Sequence, residues 1–161
     1  MATQPESLCF TDEPTIATDV ARGVTRLFCR QDLFAICEMP LPNGRRADLM
    51  AIDSKGGLTI VEIKVAKADL VGDGKWTDYL EYCDQFFWAV PPHLAPLLEE
   101  ARFLPADAGV IVADRYDAAV MRPAAERPLA PARRKAELLR FARRAARRLA
   151  AQIDPSLGEA S

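Results

Sequence analysis

The spacing of hydrophobic residues predicts a helix near the start of the chain. Apolar side chains recur every three or four positions from Ile16 to Phe28, which is the period of one buried helix face. This pattern predicts a helix over residues 13–30. Either Thr11 or Asp12 can serve as its N-cap.

The pattern then changes to short apolar runs separated by turn residues, which is typical of strands. Asn43 and Gly44 form a strong hairpin dipeptide, and a second turn falls in the sequence SKGG at 54–57. The predicted strands are 33–41, 45–53 and 58–66. Because their connections are short, we expect an antiparallel meander of three strands.

The rest of the chain alternates between helical and strand patterns. The predicted elements are a helix at about 74–85, a strand at 86–91, a short helix at 93–102, paired strands at 108–114 and 118–123, and a final helix at about 131–151. This order predicts an α/β fold with a central mixed sheet flanked by helices. We expect a single domain over 11–152, with flexible termini at 1–10 and 153–161.

The final predicted helix is strongly basic. One face is apolar, with Leu138, Phe141, Ala142, Ala145 and Leu149, and the other holds Arg133, Arg140, Arg143, Arg144, Arg147 and Arg148. Residues 131–161 carry eight Arg or Lys against three Asp or Glu, whereas residues 1–130 carry 13 against 20. A basic helix on an acidic body indicates either a polyanionic partner or an ordinary solvated helix face.

Length and composition narrow the classes of protein. The chain has 161 residues, which suits one domain with a hydrophobic core. No apolar run approaches the roughly 20 residues needed to span a bilayer, and the first residues lack a secretory signal pattern, so we expect a cytoplasmic protein that does not enter a membrane. The four cysteines are irregularly spaced and His93 is the only histidine, which disfavours a zinc site.

Two charged residues interrupt the third predicted strand, LTIVEIKVA. Glu62 and Lys64 are two positions apart, so they project from the same face of the strand, about 7 Å from each other. Asp48 lies on the neighbouring strand, across the turn at 54–57. We expect Asp48 to lie opposite about residue 63, which brings it close to Glu62 in any register near this one.

Two converging carboxylates beside a lysine suit phosphodiester hydrolysis. Carboxylate oxygens suit Mg²⁺ or Mn²⁺, and such an ion polarises a phosphoryl oxygen and lowers the pKa of a bound water. A neighbouring lysine can stabilise negative charge on the phosphate. The same residues can also be solvated charges on a half-exposed strand, because a Glu-x-Lys pair is common.

The stretch ADLMAIDSKGGLTIVEIK, residues 47–64, resembles the core motif of the PD-(D/E)XK nuclease superfamily. Ala47 stands where that motif has proline, and the predicted α-βββ-α-β order matches the superfamily core. Longer blocks, such as VEIKVAKADLVGDGKWTDYLEYCDQFFWAVP at 61–91, resemble the bacterial MmcB-type DNA repair proteins, which are similar to this superfamily. The resemblance implies a restriction-endonuclease-like core with extra C-terminal strands and a C-terminal helix.

The resemblance also implies a role for each motif residue. Asp48 and Glu62 would be catalytic metal ligands, together with the main-chain carbonyl of Ile63. The metal would be Mg²⁺ or Mn²⁺. Lys64 would be the catalytic lysine.

Many superfamily members add a catalytic polar group from the helix that follows the third strand. On the helix predicted here, Tyr82 and Gln85 are the candidates for that role. Both residues also fit an ordinary solvated helix edge, and both interpretations stay open.

Several basic side chains are expected to contact the DNA backbone. They are Arg46, Lys67, Lys75, Arg140, Arg143, Arg144 and Arg147. Each of them also has a plainer interpretation as a solvated surface charge.

The resemblance implies a DNA repair protein that hydrolyses DNA phosphodiester bonds with a divalent metal. One alternative is a non-catalytic DNA-binding or repair-complex subunit on a nuclease-like fold, since fold alone does not fix function. Another is an interaction domain unrelated to nucleic acid. Besides DNA, the resemblance allows other DNA repair proteins and a second copy of the chain, in a homodimer, as partners.

Overall fold

A six-stranded mixed sheet forms the centre of the structure. The computed structural model describes residues 15–71, 75–99 and 107–158. The strands are β1 Phe34–Pro40, β2 Arg46–Ile52, β3 Leu58–Ile63, β4 Gln85–Val90, β5 Gly109–Ala113 and β6 Ala118–Arg122. The helices in these ranges are α1 Ala17–Arg30, α2 Lys67–Val71 and α3 Pro131–Ile153, with 3₁₀ helices at Trp76–Tyr82, Pro92–Glu99 and Pro155–Leu157.

The strands lie in chain order across the sheet, from β1 to β6. The first three strands form the predicted antiparallel meander. Strand β4 is parallel to both β3 and β5, and β6 returns antiparallel to β5. The prediction of an α/β fold with a central mixed sheet is therefore confirmed.

The two faces of the sheet carry separate hydrophobic clusters. Helix α1 covers one face, where Val24 packs in the same cluster as Val61. Helix α3 covers the other face, where Phe141 packs in the same cluster as Ile60. Because side chains alternate along a strand, Glu62 projects on the α3 side, as Ile60 does.

Helix α1 begins at Ala17, later than predicted. The carboxylate of Asp19 accepts a hydrogen bond from the Ile16 main-chain N–H at 3.1 Å, which satisfies one of the donors left open at a helix start. The predicted caps Thr11 and Asp12 lie outside the described residues, as does the predicted flexible segment 1–10.

The segment predicted as a helix over 74–85 is only partly helical. A 3₁₀ helix spans Trp76–Tyr82, and Cys83 is already extended, with φ −143° and ψ 157°. The chain leaves the helix at this point because the Asp84 N–H donates to the first carbonyl of β3 at 2.8 Å, which ties it to the sheet. The prediction that Gln85 lies on this helix is therefore wrong, since Gln85 is the first residue of β4.

Other boundaries differ by a few residues from the predicted ones. Strand β3 ends at Ile63, earlier than predicted, and the short helix α2 follows in a stretch that the sequence pattern left unassigned. The segment predicted as a helix at 93–102 forms a 3₁₀ helix over Pro92–Glu99. Pro96 lies inside it and cannot donate the hydrogen bond that an α-helix would require there.

Helix α3 packs on the sheet through part of its predicted apolar face, since Phe141 is buried and Leu138 packs against the same cluster. Its buried side chains are Glu137 and Phe141, whereas Leu149 is 62% exposed, so the prediction of Leu149 on the buried face is wrong. Most of the arginines turn partly toward the protein. Those that are half-buried are Arg133, Arg134, Arg140, Arg144, Arg147 and Arg148.

Within the segment predicted to be flexible, 153–161, the structure describes residues 153–158. Ile153 is the last residue of α3, and a 3₁₀ turn follows at Pro155–Leu157, capped by the side chain of Asp154. In the described ranges no helix combines the length and the hydropathy that crossing a membrane would need.

A buried ion pair fastens α3 to the sheet. The Asp84 carboxylate accepts hydrogen bonds from both terminal nitrogens of Arg134, at 2.5 and 2.7 Å. It also accepts from the main-chain N–H groups of Leu58 and Leu129, at 2.8 and 2.9 Å. Burial alone would raise the pKa of Asp84, but these hydrogen bonds together outweigh it and lower the pKa.

Replacing Asp84 with alanine should destabilise the protein strongly. The change leaves a guanidinium and two main-chain donors without their acceptor, and breaking one side of a buried pair costs about 3 kcal/mol or more. We expect the urea midpoint of unfolding to fall accordingly. Because the pKa of Asp84 is lowered in the folded state, its contribution is present at neutral pH and is lost as the pH falls into the acidic range.

Asp117→Ala is the matched control for this change. Asp117 also pairs with an arginine, Arg30, but both side chains are largely exposed. Exposed pairs contribute little, so this variant should unfold close to the wild-type midpoint. Equal losses in the two variants would contradict an anchoring role for Asp84.

Candidate functional site

The carboxylates of Asp48 and Glu62 meet where the hydrogen-bonded ladder between β2 and β3 ends. Regular pairing runs from Ile52 opposite Leu58 to Leu49 opposite Val61. One step further, Asp48 lies opposite Glu62. The sequence predicted Asp48 opposite about residue 63, so the register differs by one position.

Side chains replace the main-chain acceptors at this step. The Asp48 N–H donates to Glu62 Oε1 at 3.1 Å, and the Ile63 N–H donates to Asp48 Oδ2 at 2.8 Å. Each strand thus donates a main-chain hydrogen bond to the carboxylate of the other. This exchange fixes both carboxylates close to the backbone and to each other.

Glu62 is buried next to a second negative charge. Its exposed fraction is only 5%. Burial is the largest influence on its ionisation and the charge of Asp48 the next, and together they raise the pKa of Glu62 to about 8. The nearby charge of Lys64 acts in the opposite direction and lowers that pKa in part. The pair therefore favours any bound cation, whether a proton or a metal.

Lys64 lies just beyond the end of β3 and is held by β4. Its N–H donates to the Ala89 carbonyl at 2.9 Å, and its Nζ lies 5.5 Å from the centroid of the Trp88 ring, within cation–π range. Trp88 is the β4 partner of Glu62 in the parallel register. The ammonium and the buried carboxylate therefore share one indole ring as a neighbour.

Tyr79 also belongs to the surroundings of the carboxylate pair. Burial is the main reason that the pKa of Tyr79 rises to about 12, and the charge of Glu62 is the second. The guanidinium carbon of Arg45 lies 5.9 Å from the Tyr79 ring centroid, and Arg45 Nε donates to Asp78 Oδ2 at 2.8 Å. Tyr79 was not among the residues predicted for the site, although its hydroxyl was a signal that it needs a polar partner.

The two further catalytic candidates lie in different surroundings. Tyr82 is buried in the hydrophobic cluster under α3, with the Arg133 guanidinium carbon 5.0 Å from its ring centroid. Gln85 pairs opposite Thr59 and its Nε2 donates to the Ala124 carbonyl at 3.4 Å. Gln85 is thus three strand positions from Trp88, roughly 10 Å along β4, and it is not brought to the carboxylate pair.

The four predicted arginines of α3 line one side of a cleft of about 700 Å³. The arginine side holds Arg140, Arg143, Arg144 and Arg147, and the opposite side is residues 39–42, at the end of β1 and the start of the following turn. We call this feature the arginine cleft. It brings together four of the basic residues that the sequence singled out.

The arginine cleft adjoins the carboxylate pair through Glu38. Cys37 pairs with Leu49 and Met39 with Ala47, so Glu38 lies opposite Asp48. Its φ of 53° falls in the left-handed region, which non-glycine residues seldom adopt. The Glu38 carbonyl accepts from Nη2 of Arg148, the residue after Arg147, at 2.9 Å.

The other predicted DNA contacts are exposed. Arg46 begins β2, with its Nη2 3.7 Å from Glu38 Oε1. Lys67 begins α2, and Lys75 directly precedes the Trp76–Tyr82 helix. The structure brings Arg46 near Glu38 and does not bring Lys67 or Lys75 to the arginine cleft.

The donor atoms at the pair suit a hard divalent cation. Within residues 15–71, 75–99 and 107–158, no group of three or more His, Cys, Asp or Glu side chains is arranged to hold a metal. Two carboxylates and the adjacent Ile63 carbonyl nevertheless form an oxygen-only set. Mg²⁺ commonly binds through one or two carboxylates and keeps several waters, so the residues present fit Mg²⁺ or Mn²⁺.

The fold and the site define an α/β protein in which the buried Glu62 and the half-buried Asp48 form a carboxylate pair near an arginine-lined cleft. The chain belongs to the MmcB-like family, described as DNA repair protein MmcB-like, which matches residues 4–156. The resemblance to the MmcB-type proteins is therefore confirmed. The family assignment indicates a role in DNA repair.

A solved structure supports the same fold. A protein of unknown function from Silicibacter pomeroyi shares 41% sequence identity with the chain, at a TM-score of 0.78. The likeness covers 89% of this chain and 94% of that protein. No curated protein matches the chain.

The raised pKa of Glu62 predicts how the stability of the metal-free protein depends on pH. The folded-state pKa lies above the unfolded value of about 4.3, so folding favours the protonated carboxyl. The stabilisation from Glu62 is complete below that unfolded value and is lost as the pH rises toward 8. The slope from this group is at most about 1.4 kcal/mol per pH unit.

Glu62→Gln should flatten this dependence. In buffer with EDTA, we expect the melting temperature of the wild-type protein to fall between about pH 5.5 and pH 8.5, and that of the variant to fall less. Glu126→Gln, a change at an exposed loop residue, should keep the wild-type dependence. Parallel curves for wild type and Glu62→Gln would refute a buried, proton-binding Glu62.

Proposed function

We propose that the protein is a metal-dependent DNA nuclease of the PD-(D/E)XK type that acts in DNA repair. The observation that carries the proposal is the pair of carboxylates, Asp48 and Glu62, fixed by crossed main-chain hydrogen bonds with Lys64 beside them. Ionising a buried carboxyl beside a second carboxylate is costly unless a cation compensates the charge. A bound catalytic cation would compensate the charge of both carboxylates.

The ligands of the cation would be the two carboxylates and the Ile63 carbonyl. When bound, Mg²⁺ or Mn²⁺ polarises a phosphoryl oxygen and lowers the pKa of a coordinated water. Glu62 must lose its proton to act as a ligand, and its pKa of about 8 makes cation affinity increase from acidic to alkaline pH. Asp48 is held by the Ile63 N–H, so its carboxylate is already oriented toward the strand that supplies the other ligands.

Lys64 would stabilise negative charge on the phosphate under attack. Its contact with the Trp88 ring restricts where the ammonium can go, and a fixed ammonium stabilises developing charge better than a mobile one. The ammonium also keeps a positive charge at the pair when the scissile phosphate arrives. Lys64 is therefore assigned as the catalytic lysine.

DNA would approach from the side of the arginine cleft. Arginine forks bind phosphate oxygens through two hydrogen bonds at once, and a row of them on α3 can follow the DNA backbone. Arg148 and Glu38 connect this row to Asp48. A strand bound by α3 would therefore meet the carboxylate pair at the end of the β2–β3 ladder.

A non-catalytic DNA-binding role is the second candidate. The observation that favours it is that the described residues supply only a pair of carboxylates, without a third acidic, cysteine or histidine side chain. In that case DNA affinity would be the same with and without EDTA. No cleavage would appear on single-stranded, duplex or branched DNA.

Cleavage assays on two variants test the nuclease proposal. With Mg²⁺ or Mn²⁺, wild-type protein should cut at least one of these three DNA forms. Asp48→Asn removes a ligand charge and Lys64→Ala removes the ammonium, so each should lower the rate on the order of 100-fold or more. Glu126→Gln is the control and should cut at the wild-type rate.

Metal binding separates the roles of these two residues. Free Mn²⁺ measured by electron paramagnetic resonance should show binding to wild type and Lys64→Ala, and weakened binding to Asp48→Asn. Cleavage that survives both substitutions, or Mn²⁺ affinity that is unaffected by Asp48→Asn, would show that the assigned site is wrong.

A further inference from the structure

We propose that the arginine cleft binds an unpaired DNA nucleotide, with its phosphate on the arginines of α3 and its base against Pro40 and Pro42. This inference rests on the proposed function in taking DNA as the substrate, and it adds that the strand entering the site is single-stranded there.

Two arginines of the cleft have donors that no described residue satisfies. Nε of Arg140 and Nε of Arg144 are buried and lack a hydrogen-bond partner within the described ranges. The two residues lie one helical turn apart, so they neighbour each other on the same side of α3. An unsatisfied donor on a charged group is costly, and a phosphate that draws each guanidinium into a two-bond fork would supply the acceptors.

The arginines also crowd one another electrostatically. Burial is the main cause that lowers the pKa of Arg148, and the charge of Arg144 is the next. Glu137 is fully buried and compensates Arg133 and Arg140 through contacts at 3.7 and 3.0 Å. The arginines further along α3 lie beyond this acid, which leaves a positive field that an anion would neutralise.

The wall facing the arginines is apolar. Met39 and Leu41 are buried, whereas Pro40 and Pro42 present their rings to the surface. Phosphate binding alone does not require an apolar wall. Unpaired bases stack on flat apolar surfaces and on guanidinium planes, so this pair of walls suits a base together with its phosphate.

The shape of the cleft favours an unpaired strand over a duplex. In a duplex the base faces are stacked on their neighbours, and only their edges are accessible in the grooves. A base can enter a two-walled cleft only after it leaves the stack. The volume of about 700 Å³ lies in the range of sites that hold small molecules of nucleotide size.

The position of the cleft connects this nucleotide to the carboxylate pair. Pro40 is two residues after Glu38, and Glu38 lies opposite Asp48 in the β1–β2 register. A nucleotide against Pro40, which pairs with Arg46, is therefore two strand positions from Asp48, roughly 7 Å along β2. The cleft would hold the strand beside the phosphate that reaches Asp48 and Glu62.

Binding measurements in EDTA test this proposal without requiring cleavage. Fluorescence anisotropy would compare a labelled oligo-dT, the same strand in a blunt duplex, and an abasic strand of equal length. We expect the oligo-dT to bind about tenfold more tightly than either of the other two, because stacking of a base contributes about this factor. Arg144→Ala should weaken binding of all three DNAs.

Two substitutions distinguish the contribution of the apolar wall to DNA binding from that of positive charge. Pro42→Ala removes an exposed ring and should weaken binding of oligo-dT while leaving the abasic strand unchanged. Arg22→Ala, an exposed arginine on α1, is the charge control and should bind all three DNAs as wild type does. Circular dichroism of each variant checks that the fold is intact.

Equal affinity for oligo-dT and the abasic strand would overturn the proposal, as would equal affinity for the duplex. An Arg144→Ala variant that folds and binds like wild type would also overturn it. If oligo-dT binds as expected and no DNA is cut with Mg²⁺ or Mn²⁺, the single-strand site stands and the nuclease proposal fails. The two proposals can therefore fail separately.

Discussion

The crossed hydrogen bonds between Asp48 and Glu62 determine the local geometry on which the candidate site depends. Where a strand pair would continue with two carbonyl acceptors, two carboxylates take their place. The ladder therefore ends in a pair of anionic groups instead of a turn or a frayed end. Glu62 is buried, whereas Asp48 is half-buried. Burial and repulsion by Asp48 raise the pKa of Glu62. A bound cation would offset that repulsion.

A second buried carboxylate has the opposite character. Asp84 is surrounded by donors, and its pKa is lowered although it too is buried. It joins β3, the chain before α3 and α3 itself through Leu58, Leu129 and Arg134. The two acids differ because of their neighbours. Hydrogen-bond donors stabilise the charged form of Asp84, whereas apolar burial beside a like charge disfavours the charged form of Glu62. Asp84 stabilises the fold, whereas the fold holds Glu62 in surroundings that disfavour its charged form.

Local sequence signals predicted the meander and the proximity of Asp48 and Glu62 well. The Asn43-Gly44 turn and the alternation of apolar residues fixed three strands, and the period of two placed Glu62 and Lys64 on one face. The register was one position off because turn geometry sets it, and sequence does not determine that geometry. Gln85 was misplaced because its helix ends where distant contacts of Asp84 hold the chain in the sheet. On α3 the apolar spacing correctly placed Phe141 on the buried face, but it also placed Leu149 there, and Leu149 is 62% exposed.

The place of α3 in the chain has a consequence for synthesis. Residues 34–63, which hold both carboxylates, leave the ribosome long before residues 131–153, and chains form structure from the N-terminal side as they emerge. The acidic half of the site can thus assemble while the arginines are still untranslated. A message truncated before Pro131 would encode the paired carboxylates and Lys64 but none of the arginines of α3. Such a fragment would lack Arg134, the partner of Asp84, and the arginines of the cleft that we propose to bind DNA. The proposed DNA-binding surface can therefore form only after α3 has been translated.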